Sequence, residues 1–265
     1  WSNYNLTTTG SKTTTANIAK KAVTLSGITA ANKTYDGNTD AAVSVTHAVF
    51  SDKVSGDVLN VTSTGTFASK NAGDGKTVTL SNTLGGADLG NYTVTQQVTT
   101  TANITKKDVT LTSISAANKT YDGSTAASVS NWGTIDTGIT GEALTLNHGT
   151  AAFDSANAGS GKTVTASGYS LANGTGGLAS NYQLASSSAA TTADIGKASL
   201  TLSISNVTKT YDGDTSAAGT AVVTTGTLYV NASNGGVQDS LSGGTFSFTD
   251  KNAGTGNKTV TLSGV

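Results

Sequence analysis

Apolar and polar residues alternate in short runs along this chain. Val23-Thr-Leu-Ser-Gly-Ile28 is the first clear run, and Lys76-Thr-Val-Thr-Leu80 keeps the same period of two. That period places every second side chain on one face, which predicts half-buried β-strands. Residues 42–50 and 57–69 are strand-like too, with Val58, Leu59, Val61 and Phe67 as core candidates. Asn71-Ala-Gly-Asp-Gly75 and Leu84-Gly-Gly86 interrupt the pattern. Asn, Asp and Gly tolerate positive φ, and Asn and Asp bond nearby backbone, so both stretches read as turns. Residues 92–104 then resume as strand. About six or seven short strands with regular turn signals predict an all-β fold of sandwich type.

The same succession of runs and turns is stated three times. Asn-Lys-Thr-Tyr-Asp-Gly stands at residues 32–37 and 118–123, and Thr-Lys-Thr-Tyr-Asp-Gly at 208–213. Tyr35, Tyr121 and Tyr211 lie about 86 and 90 residues apart, so the phrase marks one position in a unit of roughly 88 residues. Val109-Thr-Leu111 and Leu200-Thr-Leu202 answer the first run, and Asn157-Ala-Gly159 and Asn252-Ala-Gly254 answer the turn. Asn181-Tyr182 answers Asn91-Tyr92, and units close on Thr-Ala-(Asn/Asp)-Ile at 101–104 and 192–195. The expected organisation is residues 1–18 as closing strands of a preceding unit, 19–105 and 106–196 as whole units, and 197–265 as a unit lacking its last strands. The junctions at 101–111 and 194–202 contain no Pro and a single Gly, Gly196, so they are not flexible tethers. Tandem Ig-like, sandwich-like units stacked end to end into a rod are expected, each on the order of 30–40 Å long at ~3.3 Å per strand residue.

Composition narrows the classes of function. The chain has no Cys, Met or Pro, all its basic residues are Lys, and its net charge is −1. Disulfides, thiolate chemistry and Cys-ligated zinc are excluded. The absence of a basic patch argues against nucleic acid and anionic membrane as partners. No run of 18 apolar residues exists, so no transmembrane helix is encoded in this segment. A cysteine-free chain rich in Thr, Gly and Asn suits export from a bacterium, which predicts a secreted or cell-surface location. No P-loop, His-Glu-x-x-His or Gly-x-Ser-x-Gly motif is present, and the expectation is a protein that is not an enzyme.

Taken together, Asn-Lys-Thr-Tyr-Asp-Gly, Asn-Ala-Gly before Lys-Thr-Val-Thr, and Asn-Tyr before Thr-Ala-(Asn/Asp)-Ile resemble the YDG-type repeats, and the related MBG repeats, of very large Gram-negative exported adhesins. Many of those are similar to filamentous haemagglutinin. The resemblance covers essentially the whole chain, with Thr208 replacing Asn and a longer third unit as the departures. It implies a repetitive stalk in an adhesin, biofilm-matrix or extracellular filament protein, and it assigns no catalytic residue. Two other readings stand beside it. Residues 1–18, with Tyr4, Leu6 and Ile18, could donate strands to the open third unit of another copy and build a head-to-tail filament. Alternatively, a unit face could bind a matrix polysaccharide or host glycan through Trp132 or Tyr229, although neither aromatic recurs.

The recurring residues have structural roles that would repeat in every unit. Tyr35, Tyr121 and Tyr211 are expected to bury a ring while keeping the hydroxyl paired. Asp36, Asp122 and Asp212 can accept from backbone N–H two residues on, and Gly37, Gly123 and Gly213 can take positive φ. Asn71, Gly73, Asn157, Gly159, Asn252 and Gly254 form the second recurring turn. Calcium at Asp36, Asp122 and Asp212 is the sharper alternative, and otherwise no cofactor is expected. Calcium wants six to eight oxygens, and Asp74 is answered only by Ser160 and Thr255. Asp57 meets Glu142, the single Glu, and Asp239 in the corresponding stretches. His47 and His148 occupy non-equivalent positions and read as scattered polar surface. Ten Asn-x-Ser/Thr sequons, among them Asn32, Asn91, Asn103 and Asn118, keep glycosylation open.

Overall fold

Alternation drives the chain into strands, and among the described residues it forms no α-helix. The computed structural model describes residue 3, residues 10–205 and residues 207–265. It divides into two compact units. One comprises the chain up to Lys107 together with Ser180–Tyr182, the other Asp108–Ala179 with Gln183–Val265.

The first unit contains two main sheets. Lys21–Ser26 lies between Val49–Ser51, antiparallel, and Tyr92–Thr95, parallel. The second sheet runs in the order Lys33–Thr34, Thr99–Thr105, Gly73–Gly85, Asn60–Phe67 and Asp40–Ala41. Its three long strands are antiparallel neighbours, while Lys33–Thr34 pairs parallel with the end of Thr99–Thr105. Every second residue is buried where the sequence alternates: Val23 and Leu25, Val78 and Leu80, Ala102 and Ile104. Val61 and Phe67 join this core, but Val58 is 54% exposed. Its backbone is tied into a turn by the Asp88 carboxylate, which accepts from Val58 N–H at 2.8 Å. The run at 42–50 forms only the short strands Val43–Ser44 and Val49–Ser51.

The second unit repeats the scheme. Lys119–Thr120, Ser188–Gly196, Gly159–Ser167 and Ala151–Phe153 form a four-stranded sheet in that order. Ile114, Phe153, Val164, Ala166, Tyr169 and Ile195 are among the residues of its buried cluster. The third repeat, in the same unit, has Ser216–Ala217, Thr245–Phe248 and Val260–Ser263 in one sheet, with Val260–Ser263 at its edge. Among the described residues no strand takes the place beside Val260–Ser263 that Thr99–Thr105 and Ser188–Gly196 take beside Gly73–Gly85 and Gly159–Ser167. Accordingly, no apolar side chain of residues 197–265 is fully buried among the described residues.

Residues 11–20 form no strand, contrary to the expectation for the segment 1–18, and Ile18 is 99% exposed. Without sheet neighbours, alternation alone does not make a strand. Tyr4 and Leu6, the other residues singled out for strand donation, lie outside the described residues.

Candidate functional site

The recurring phrase folds as one device, and its centre is the Lys that precedes Tyr-Asp-Gly. Lys33 Nζ donates to Asp36 Oδ1 at 2.8 Å, to the Asn38 carbonyl at 3.0 Å and to Asn38 Oδ1 at 2.8 Å. Lys119 Nζ repeats this with Asp122, Ser124 and the Ala126 carbonyl, and Lys209 Nζ with Asp212 and Asp214. Each ammonium also stands over a ring, 5.5 Å from Phe67, 5.6 Å from Phe153 and 5.9 Å from Phe248. The turn therefore wraps a cation whose underside is covered by an aromatic face. Asp36, Asp122 and Asp212 accept from the N–H two residues on, at 3.1, 2.9 and 3.1 Å. Gly37, Gly123 and Gly213 have φ of 81°, 76° and 88°, which an L side chain rarely adopts. A calcium ion at these aspartates would have to displace the ammonium already paired with them.

This pairing sets the carboxyl pKa values. Burial pushes Asp36 and Asp122 up, but hydrogen bonds from Lys33 and Lys119 and from nearby N–H groups more than reverse it and hold both below the ordinary value. Lys209 lowers Asp212, and Lys209 with Ser216 brings Asp214 down to about 2. A carboxyl with a depressed folded pKa stabilises the fold above its unfolded pKa of about 3.9, and loses that contribution as pH falls through the folded value. The melting temperature is therefore expected to hold from pH 7 to about pH 5 and to fall below about pH 4, with Asp214 protonating last. Circular-dichroism melts between pH 7 and pH 2 check this, and an unchanged midpoint at pH 2 would refute it.

Lys119→Met is expected to cost the second repeat about 2 kcal/mol, because two carbonyls and a hydroxyl lose their donor in a partly buried site. Asp122→Asn should cost less than about 1 kcal/mol, since its carboxylate is largely solvated. Native-state hydrogen exchange in Ser188–Gly196 measures both, and equal losses would place the energy in the ion pair instead.

The rest of the phrase ties the turn to the closing strand. Asn32 Oδ1 accepts from Asn103 N–H and Asn118 Oδ1 from Asp194 N–H, both at 2.7 Å. Asn103 and Asp194 in turn accept from Gly75 and Gly161 N–H, each at 2.7 Å. Only a side-chain oxygen is used there, so Asn and Asp interchange freely. In the third repeat no such closing strand is present among the described residues, and Thr208 stands in place of Asn. In the second recurring turn the left-handed residue is not Gly73, Gly159 or Gly254. It lies two positions on, at Gly75, Gly161 and Gly256, with φ of 56°, 60° and 68°. Gly73 and Gly159 instead open strands.

Tyr35 and Asn71 meet a segment distant in sequence. Tyr35 is 1% exposed and packs edge-to-face on Tyr182, ring centres 5.3 Å apart. Asn181 Oδ1 accepts from Ala72 N–H at 2.9 Å, and its Nδ2 donates to Asn71 Oδ1 at 3.1 Å. In the second unit Tyr121 packs edge-to-face on Tyr229 at 5.9 Å, and its hydroxyl donates to Asp239. That bond raises the Tyr121 phenol pKa to about 12. Asn231 Nδ2 donates to Asn157 Oδ1 at 2.9 Å, and Ser233 Oγ accepts from Ala156 N–H at 2.6 Å. Tyr211, by contrast, is 60% exposed, which corrects the expectation that all three tyrosines are buried anchors. Within the third repeat nothing among the described residues covers it.

A family model for the YDG domain matches residues 19–101, 105–192 and 196–265. The chain belongs to the YDG domain family. No curated protein and no solved structure matches it. The three YDG repeats thus carry one turn chemistry in three settings. Sequence reasoning assigned Tyr, Asp and Gly their parts but missed the Lys, whose recurrence beside a recurring Phe was the available signal. Asp57 and Asp239, paired by position in the sequence, both accept a Tyr hydroxyl, from Tyr92 at 2.5 Å and from Tyr121. Trp132 is stacked on His148 at 3.6 Å, so His148 is a packing partner and not merely scattered polar surface. A sugar stacking on that Trp132 face would have to displace the imidazole, and Tyr229 is engaged by Tyr121.

Proposed function

We propose that this chain is a structural stalk segment of an exported bacterial adhesin or extracellular filament protein. What supports the reading is the use to which the repeated residues are put. Lys, Tyr, Asp and Gly of the phrase, and Asn of the second turn, close turns and join distant segments, and these are architectural tasks. A repeated catalytic or binding site would instead keep reactive or recognising groups available in each copy. The absence of Cys and Met and the low charge are consistent with a chain that functions outside the cell. Antibody against the purified chain, applied to intact cells of the producing organism, is expected to label the surface and to lose its target after external protease. Labelling only after permeabilisation would sink the exported reading.

A further inference from the structure

The recurring turns of the first two repeats are completed by groups that belong, by sequence, to the repeat that follows. In the first unit the supplying segment is Ser180–Tyr182, which is part of that unit although Ala179 and Gln183 on either side belong to the other. Asn181 is buried, and its amide serves the first repeat from both ends, the oxygen accepting from Ala72 N–H and the nitrogen donating to Asn71. In the second unit the supplying segment is residues 229–233 of the third repeat. Asn231 Nδ2 donates to Asn157 Oδ1, and Ala232 N–H donates to the Gly123 carbonyl. Ser233 Oγ accepts from the N–H of Ala156, which is fully buried.

The two supplying segments hold different places in the repeat. Asn181-Tyr182 stands where Asn91-Tyr92 does, at the closing strands, whereas residues 229–233 precede Asp239, the counterpart of Asp57 in the body of the repeat. The receiving chemistry is nonetheless the same. The Asn of Asn-Ala-Gly accepts from an Asn amide, and a main-chain N–H adjacent to it donates to a side-chain oxygen. The Tyr of Tyr-Asp-Gly meets a Tyr edge-on. One set of bonds reached from two unrelated positions marks the receiving surface as a built feature, not a by-product of one strand register.

We infer that successive repeats are energetically coupled through this interlock, so that neither of a pair opens at the cost of its own core alone. A repeat that opens gives up these bonds, and its neighbour gives them up with it. Stability then contains a contribution from each repeat and another from each junction, as in solenoid arrays. The unit that opens is a repeat together with the segment supplied to it, and a substitution in one repeat is felt in another to which it does not belong.

Native-state hydrogen exchange of the full chain tests this, with Ser233→Ala as the first variant. Ser233 is exposed and lies outside every strand, so its own repeat loses no core packing. Exchange in Gly159–Ser167, a strand of the second repeat, is expected to quicken about tenfold, because the buried Ala156 N–H loses its acceptor. Ser233→Thr keeps the hydroxyl and is expected to restore the wild-type rate. A coupling free energy is reciprocal, so Asn157→Ala is expected to quicken exchange in Ala221–Thr225 of the third repeat as well. Asn181→Ala carries the test to the first unit, read in Gly73–Gly85. Acceleration confined to the repeat that holds each substitution overturns the inference and makes the repeats independent. Ser233→Ala exchanging like wild type overturns it too, as does Ser233→Thr exchanging as fast as Ser233→Ala.

Discussion

Tyr35→Ala is expected to cost the first repeat about 3–5 kcal/mol, whereas Tyr211→Ala should change the third by less than about 0.5 kcal/mol. The two residues occupy the same position of the same phrase. Tyr35 is almost wholly removed from solvent and gives its ring face or edge to Tyr182, so truncation leaves a cavity and forfeits an aromatic pair. Tyr211 is 60% exposed, and its removal deletes little packing. Tyr121, half-buried against Tyr229 and bonded to Asp239, should fall between them. Hydrogen exchange in Gly73–Gly85 and in Val260–Ser263 reads each repeat by itself, which avoids assuming that the chain unfolds in one step. Equal losses at Tyr35 and Tyr211 would mean that the ring matters to its own turn, and would dismiss the role assigned to the distant segment.

Gly123→Ala should destabilise the second unit by about 3 kcal/mol and Gly213→Ala by only about 1 kcal/mol. Both glycines have positive φ, which costs an L-residue roughly 1–2 kcal/mol. Around Gly213 a Cβ would meet nothing within 4 Å, so the backbone strain is the whole effect. At Gly123 it would stand 2.3 Å from the Val230 carbonyl oxygen and 2.9 Å from Tyr229 Cβ. Relief requires moving the segment that also donates Ala232 N–H to the Gly123 carbonyl at 2.8 Å. Thermal or urea unfolding of the two variants, followed beside wild type, gives the comparison. A Gly213 variant as damaged as the Gly123 one would show that strain, and not close approach, governs both.

These pairs show what a repeated motif carries and what it leaves open. The turn itself was legible in the chain: Asp accepts from the N–H two residues on and Gly takes positive φ in all three copies. Those are interactions over two to five residues, and they form wherever the phrase stands. Lys33, Lys119 and Lys209 show the next range. Their bonds to the turn are local, but the Phe67, Phe153 and Phe248 rings beneath them come from strands more than thirty residues on. Only pairing of the strands brings the two together, although the recurrence of both residues was there to be seen. In the second recurring turn Gly75, Gly161 and Gly256 take the positive φ, while Gly73, Gly159 and Gly254 do not. Asn-x-Gly-x-Gly offers two glycines, and the strand register, not composition, decides which one bends.

By itself, the sequence determined the all-β class, the three-fold repetition of about 88 residues and the YDG turn, because period-two burial and Asp-Gly turn chemistry are properties of a few neighbouring residues. The tertiary structure alone decided which copies of an identical residue are buried. Tyr35 and Tyr211 differ only in what the rest of the chain lays over them, and Asn71 finds Asn181 about 110 residues away. Contacts of that range leave no periodic trace, since they depend on where whole sheets end and which turn is carried to meet them. A residue's neighbours in sequence set its conformation, and its neighbours in space set what that conformation is worth.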